Sequence, residues 1–240
     1  MDGRTASLLT EVIYENRLKP FTLSMGVKYN YKYIKNSYQG DASSLTNTDN
    51  NRLYGFAEIK GTLRQLRYSL GVGASYIHYT QNGHRYNFGT FHPKASLTYN
   101  ISNNVQLSYT CQMQDKVSRI AMTSDAMIRT NSMEWTVGNP DLKPSHDMEH
   151  RLQVSYNNNR LQTFFDGYFK QCFKPNMAHY ERTGDNHFVY TQTNQKEIDA
   201  LNVMAYAGYW LLPEKFQIAA NGGLFRCFNF GNDYTHCYTS

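Results

Sequence analysis

Apolar and polar side chains alternate along most of this chain with a period of two. Between Phe21 and Tyr33 the odd positions are all apolar or aromatic, and the even positions are Thr, Ser, Gly, Lys, Asn and Lys. Successive side chains of a β-strand point to opposite faces, so this segment predicts a strand with one apolar face and one polar face. The same alternation recurs over 53–63, 91–101 and 105–113. The chain is therefore predicted to be all-β.

Further candidate strands bring the total to about eleven. They cover roughly 7–15, 68–79, 147–157, 161–173, 188–194, 197–211 and 216–229. Many of the eleven have ten or more residues, whereas strands in soluble proteins usually have about 5 or 6. A tilted strand needs about 9 to 11 residues to cross a bilayer. These lengths favour strands that span a membrane.

Short and long connections alternate between the predicted strands. The short ones are 17–20, 65–67, 102–104, 157–160 and 213–215, and the long ones are 36–51, 80–90, 117–146 and 174–187. An outer-membrane β-barrel has short periplasmic turns and long outer loops. Hydrocarbon offers the backbone no hydrogen-bond partner, so membrane-spanning strands must pair on both edges and close into a barrel. The predicted fold is an antiparallel transmembrane β-barrel, of which this chain supplies about eleven strands.

Aromatic residues form 15% of the chain, with 20 Tyr and 13 Phe, and many lie near strand ends. Phe21, Tyr68, Trp210 and Phe216 adjoin short turns, and Tyr31, Tyr33, Tyr76, Phe91 and Phe169 lie towards the long loops. Barrels carry such aromatic girdles at both membrane interfaces. A soluble β-sandwich with an aromatic inner face is the alternative, but it leaves the strand lengths and the order of connections unexplained.

Composition excludes several other classes. The mean hydropathy is −0.63 and no apolar run approaches about 18 residues, which excludes a helical membrane protein. The net charge of +5 is too diffuse to predict nucleic-acid binding. The first residues show no basic segment followed by an apolar stretch, so we expect no secretory signal here. The four cysteines lack metal-ligand spacing and are interpreted as bystanders.

Catalytic and metal-binding patterns are weak. His146 and His150 lie about 13 Å apart along one predicted strand, too far to share a metal. His78, His84 and His92 flank one loop, but His78 and His92 face opposite sides, and all three are interpreted as exposed histidines of the loop and rim. No serine lies in a nucleophile-elbow pattern. We therefore predict no enzyme, no cofactor and no metal site.

Charged residues on the polar rows are candidates for lining a lumen. They are Lys28, Lys32, Glu58, Lys60, Arg64 and Lys94. Their mostly positive charge would favour anionic solutes. The simpler interpretation is a polar wall of mixed charge, as Glu58 illustrates.

Two prolines precede one strand, in the stretch GNPDLKPSHDMEHRLQVSY from Gly138 to Tyr156. Asn139-Pro140-Asp141 has turn chemistry, and Pro144 forces Lys143 into an extended conformation. Such a segment ends a loop and starts a strand, because a proline cannot donate a hydrogen bond inside a sheet.

This stretch resembles the Asn-Pro-x-Leu-Lys-Pro motif of TonB-dependent receptor barrels, particularly those of the Bacteroidetes. In that family a His-x-Leu-x-(Leu/Val)-x-Tyr strand follows, and the family often has Glu where this chain has Ser145. A second stretch, Thr193 to Phe225, resembles a later hairpin of the family. The candidate motif residues are Asn139, Pro140, Leu142, Lys143, Pro144, His150 and Tyr156.

The resemblance implies a barrel of about 22 strands around an amino-terminal plug. We therefore expect residues 1–240 to be one partial barrel domain, from the carboxy-terminal part of a receptor, without plug or signal peptide. The implied location is integral to the Gram-negative outer membrane. The implied function is TonB-dependent uptake of a glycan, peptide or metal chelate. The implied partners are outer-membrane lipid, the plug of the parent chain, the TonB energy-transducing complex through that plug, and a candidate surface lipoprotein.

Two other functions stay open at this point. One is a passive porin or structural barrel without energy coupling, and the other is a soluble β-rich binding module.

Overall fold

Eleven antiparallel strands form one sheet in the computed structural model, which describes residues 2–38, 44–81, 84–116, 127–184 and 186–240. The eleven strands, called the wall here, are β1 (Asp2–Leu18), β2 (Phe21–Tyr38), β3 (Ser44–Leu63), β4 (Leu66–Gln81), β5 (His84–Asn100), β6 (Val105–Lys116), β9 (Ser145–Asn157), β10 (Leu161–Phe173), β13 (Glu197–Leu212), β14 (Phe216–Phe230) and β15 (Thr235–Thr239). Each pairs with the next in this order, so the all-β antiparallel prediction is confirmed.

A second sheet of four strands, called the loop sheet here, is built from the two longest connections. Its strands are β7 (Met127–Arg129), β8 (Glu134–Val137), β11 (Asn176–Arg182) and β12 (Phe188–Asn194). The order is β11-β12-β8-β7, and β12 pairs with β8 in parallel. In the chain, these strands belong to the connections from β6 to β9 and from β10 to β13. Both connections are at the end of the wall opposite the short turns, so the loop sheet marks the outer rim.

The two faces of the wall differ in polarity as the alternation predicts. On β2 the side chains of Met25 and Val27 are 42% and 52% exposed, whereas Ser24 on the other face is 6% exposed. The strand registers place apolar residues opposite apolar residues, as Val12 on β1 lies opposite Val27 on β2. Only three hydrophobic residues among those described are buried, which is too few for the core of a sandwich. The apolar face has no protein layer against it in the described part of the chain.

Tyrosines mark the outer boundary of the apolar face. Tyr29 donates its hydroxyl hydrogen bond to Asn51 at 2.7 Å, and Tyr76 donates to Asn87 at 3.0 Å. Beyond this level the same rows turn polar, since Leu53 is followed outward by Asn51. At about 3.3 Å per residue and a tilt near 40°, the stretch from Phe21 to Tyr29 spans roughly 20–25 Å, close to the apolar band of a membrane barrel.

One predicted girdle residue faces the other way. Trp210 lies opposite Gln217, on the polar face, because it shares the even positions of β13 with Asn202 and Tyr206. The register shifts only after Trp210, where Leu212 pairs with Phe216, so the strict alternation ends at the last residues of β13.

The outer connections are shorter than predicted because the strands continue beyond the level of Tyr29 and Tyr76. The predicted loops 36–51 and 80–90 are largely replaced by paired segments, since β2 runs to Tyr38 and β5 begins at His84. These segments can be strands although their side chains are polar, because pairing provides the backbone hydrogen bonds while the side chains stay in water.

The predicted strand 188–194 forms, but as β12 of the loop sheet and not in the wall. The eleventh place in the wall goes to β15, for which the sequence analysis predicted no strand. Among the residues that the structure describes, no helix is long and apolar enough to cross a membrane.

Candidate functional site

A cavity of about 490 Å³ opens on the polar face, at the level of the tyrosine boundary. Its lining includes Lys28, Arg52, Tyr54, His92, Lys94 and Asp115, which come from four strands. The ring of Tyr54 stands edge-on to that of His92, with 5.5 Å between centroids. Since side chains from β2 to β6 meet around one space, the polar face is concave here.

The cavity exists because β5 and β6 separate at Pro93. Strand β5 pairs with β4 along its whole length but with β6 only from Lys94 to Asn100. Proline has no backbone N–H to offer a neighbouring strand. Strand β6 nevertheless continues to Lys116 beside β9. The wall is therefore open between β5 and β6 towards the outer rim.

A buried carboxylate bridges this opening. The side chain of Asp115 is fully buried, with Oδ1 2.7 Å from Nδ1 of His146 and Oδ2 3.0 Å from Nε2 of His92. The Asp115–His92 contact is an ion-pair distance without hydrogen-bond alignment. His92 is only 12% exposed, so its interpretation as an exposed rim histidine was wrong. Pairing is required here because an isolated buried charge is costly.

The same histidine contacts two hydroxyls, but the arrangement is not a catalytic triad. Nε2 of His92 lies 2.8 Å from Oγ of Ser75 and 3.0 Å from Oγ1 of Thr90. A triad needs the acid on one ring nitrogen and the nucleophile on the other. Here Asp115 and Ser75 approach the same nitrogen. The described residues also contain no group of three His, Cys, Asp or Glu arranged to hold a metal.

His78 and His84 lie apart from this cluster. Nδ1 of His78 is 2.6 Å from Oδ1 of Asn87. His78 lies on the apolar face of β4 near the rim, which agrees with its predicted position on the face opposite to His92. The side chain of His84 lies outside the described residues. The four cysteines are free thiols.

Ion pairs on the polar face tie β6, β9 and β10 together. Oδ2 of the buried Asp147 lies 2.5 Å from Nζ of Lys116 and 2.7 Å from Nζ of Lys170. Arg151 donates twice to Asp166, from Nε at 2.6 Å and from Nη2 at 3.1 Å. Such bidentate pairs fix geometry as well as charge. They hold the wall next to the opening at Pro93.

The Asn-Pro-x-Leu-Lys-Pro motif lies at the outer rim and is bound to the loop sheet. Asn139 accepts a hydrogen bond from the Asp141 N–H at 2.9 Å, which closes an Asx turn, and donates to the Gln192 carbonyl at 2.9 Å. Leu142 is 2% exposed, and Pro144 is also buried. The motif therefore both starts β9 and anchors β12.

Asn194 is the centre of this anchor. Its Oδ1 accepts from the Lys143 N–H at 2.8 Å, and its Nδ2 lies 3.0 Å from the Lys143 carbonyl and 2.9 Å from the Lys174 carbonyl. Nδ2 also lies 2.5 Å from Oδ1 of Asn176. One amide thus joins the start of β9, the end of β10 and both strands of the β11–β12 hairpin.

The other two motif residues lie far from the rim contacts, along β9 on the apolar face. Nδ1 of His150 is 2.9 Å from the Tyr109 hydroxyl, and its ring stacks on Phe169 at 6.4 Å. Tyr156 accepts a hydrogen bond from Asn158 at 2.7 Å beside a short turn. The motif is therefore a row along one strand, not one binding site.

The loop sheet joins three outer connections into one unit. The Phe188 N–H donates to the Met133 carbonyl at 2.8 Å, and the guanidinium of Arg129 lies 5.7 Å from the ring centre of Trp135. Asn232, between β14 and β15, donates its N–H to Oε1 of Gln195 at 2.8 Å. The rim beside the cavity is consequently a connected structure.

Comparison with known proteins decides the family. Residues 2–235 match the outer membrane protein beta-barrel family. The chain belongs to that family. The predicted outer-membrane β-barrel fold is thereby confirmed, and the location is the outer membrane. No curated protein sequence matches the chain.

Solved structures of transporters and receptors share the fold. The copper transporter OprC matches 96% of this chain at a TM-score of 0.68 and 11% identity, and this chain covers 42% of it. For the FrpB iron transporter of Neisseria meningitidis the TM-score is 0.63 at 11% identity, over 99% of this chain and 36% of that one. A variant of the ferric enterobactin receptor (PfeA) of Pseudomonas aeruginosa in complex with enterobactin matches 98% of this chain at a TM-score of 0.65 and 12% identity, and this chain covers 36% of it. The chain spans less than half the length of each of these proteins.

The barrel fold separates the predicted lumen-lining residues into groups. Lys28 and Lys94 meet at the cavity. Lys60 lies 2.9 Å from Oε2 of Glu15, and Glu58 accepts a hydrogen bond from Ser69. Lys32 is exposed near the rim on the same row as Lys28. Arg64 lies in the two-residue turn after β3, with φ of 52°, and is not on the wall.

Three residues of the site were missed by sequence reasoning. Arg52 stands on the polar row of β3, so the alternation alone would have identified it. Asp115 falls on the apolar row of β6 and reaches the cavity only because β5 and β6 separate. Asn194 has no sequence signal beyond its place at a strand end.

Proposed function

We propose that this chain forms the wall of an outer-membrane importer that takes up a nutrient such as a glycan, a peptide or a metal chelate. The observation that carries the proposal is the polar concave face with a cavity at the outer boundary, beside loops that are tied into one sheet. A barrel wall needs only a polar lining to conduct water, whereas a shaped cavity near connected outer loops is what binding requires.

Energy coupling is the second part of the proposal. We infer that a plug of the parent protein occupies the lumen and transmits energy from the TonB complex. A surface lipoprotein is proposed to contact the loop sheet, where Met133 is 53% and Tyr180 is 59% exposed. The names of the similar solved proteins, a copper transporter, an iron transporter and a ferric enterobactin receptor, support an import function.

The test compares three strains of the native host: the parent, a deletion of this gene, and a deletion of the TonB gene. Each grows on the same complex medium, and mass spectrometry follows which solutes disappear. The proposal expects at least one solute that only the parent depletes. A passive porin would instead deplete its solutes in the TonB deletion as fast as in the parent, and this result would refute the importer. Equal depletion in all three strains would also refute it.

A further inference from the structure

The cavity at Pro93 carries an excess of positive charge. Lys28, Arg52 and Lys94 line it from three strands, and Asp115 is the one carboxylate among its described lining residues. Both oxygens of Asp115 already face His92 and His146. Asp115 thus contacts His146 through Oδ1 and lies near His92 through Oδ2, which leaves three cations facing one carboxylate in the cavity.

The three cations have little else to neutralise them among the described residues. Lys28 is 3.9 Å from Glu11, at the limit of an ion pair, and both side chains are about 40% exposed. Such exposed pairs contribute little. Arg52 donates one long hydrogen bond to Ser75, at 3.4 Å. No described residue forms an ion pair with Lys94. A concave surface lined by one sign of charge concentrates ions of the opposite sign.

The remaining lining supplies neutral donors and one aromatic wall. Asn30 and Gln114 carry amide N–H groups, and the Tyr54 ring forms one side. A volume of about 490 Å³ is within the range of small-molecule sites. A guanidinium presents paired N–H groups that match the oxygens of carboxylate and phosphate. Several such oxygens on one solute are needed to face three cations.

Resting on the proposed import function, we propose that this cavity binds a small solute that carries two or more carboxylate or phosphate groups. The solute sits on the lumen side of the opening between β5 and β6. Arg52 and Lys94 bind its anionic groups directly, and Lys28 adds a third charge from across the cavity. The site is a stage of passage through the barrel, because it opens on the polar face.

The experiment measures binding to the full-length protein purified from the outer membrane in detergent. Isothermal titration uses tricarballylate as the carboxylate probe, inorganic pyrophosphate as the phosphate probe and glucose as a neutral solute. The variants are Arg52→Gln and Lys94→Gln. Lys60→Gln is the matched control, because Lys60 lies on the same face but outside the cavity, paired with Glu15. Heat-modifiable migration on gels verifies that each variant is folded.

The expected result is that at least one anionic probe binds and glucose does not. Each cavity variant should weaken that binding tenfold or more, with no change for Lys60→Gln. The stronger probe identifies the carboxylate or the phosphate source. The proposal would be overturned if neither anion bound, or if all three variants bound the anion equally well. TonB-dependent depletion in the host strains would then still support the importer, so the two failures are distinguishable.

Discussion

Asn194→Ala should release the loop sheet from the wall without disturbing the wall. The amide of Asn194 joins Lys143, Lys174 and Asn176 through one accepted hydrogen bond and three contacts of Nδ2. Nδ2 carries two hydrogens, so its three contacts together count as two full hydrogen bonds. The side chain thus contributes about three hydrogen bonds at the rim.

The magnitude follows from that number. A net hydrogen bond contributes about 1 kcal/mol, so the upper value is about 3 kcal/mol. Water reaches part of this site and replaces some of the lost bonds, which lowers the expected loss to about 2 kcal/mol. Because 1.4 kcal/mol is about a factor of ten, the opening equilibrium of the loop sheet should rise about 30-fold.

Hydrogen exchange with mass spectrometry measures this opening in the detergent-solubilised protein. Amides of β8 and β12 should exchange about 30-fold faster, whereas those of β2 keep their protection. Asn194→Asp keeps the acceptor for Lys143 but turns a carboxylate oxygen towards the Lys143 and Lys174 carbonyls, so it should open the loop sheet at least as much as Ala. Asn103→Ala is the control, because Asn103 lies in the short turn after β5 and its side chain bonds no described residue.

Two results would refute the reasoning. Unchanged exchange in β8 and β12 would mean that Asn194 does not hold the loop sheet. An equal loss of protection in the wall strands would mean that the loop sheet and the wall unfold together, contrary to the local anchor described above.

Two further predictions concern the wall. Met25→Arg, on the apolar face in the middle of the Phe21–Tyr29 stretch, should lower the stability of the folded barrel in lipid vesicles by about 2–4 kcal/mol, whereas Asn30→Arg, on the polar face, should change the urea midpoint little; equal effects would contradict the membrane orientation. Gly73→Ala places a Cβ 2.5 Å from the Tyr54 hydroxyl, so it should lower the stability by about 1–3 kcal/mol in the same assay. Gly89→Ala is the control, because Gly89 has open space around it and its substitution should change the stability by less than about 0.5 kcal/mol. An equally small effect of Gly73→Ala would show that the Tyr54 side chain moves freely.

Local pattern determined much of this fold. The alternation from Phe21 to Tyr33 defines which side chains share a face, whatever strand lies next to them. The polar short turns end strands wherever they occur, as 213–215 does between β13 and β14. These features depend on residues within one strand or turn, so they can be predicted without knowing the partners.

Other features depended on partners that the sequence does not specify. Residues 188–194 alternate as a wall strand would, yet they pair with β11 and β8 in the loop sheet. Alternation identifies a strand, but any sheet with a free edge can satisfy its backbone.

The candidate site shows the same division. Parity along β3 suffices to place Arg52 on the polar face, because side-chain direction in a strand is local. Asp115 is on the wrong row by parity, and it meets His92 and His146 only where β5 and β6 separate at Pro93. Most strands of the wall and their two faces could be predicted from local sequence, whereas the rows that meet at the cavity and at Asn194 could be found only in the folded chain. The physical reason is that contacts between residues distant in the chain depend on strand order and register, which no short sequence pattern encodes.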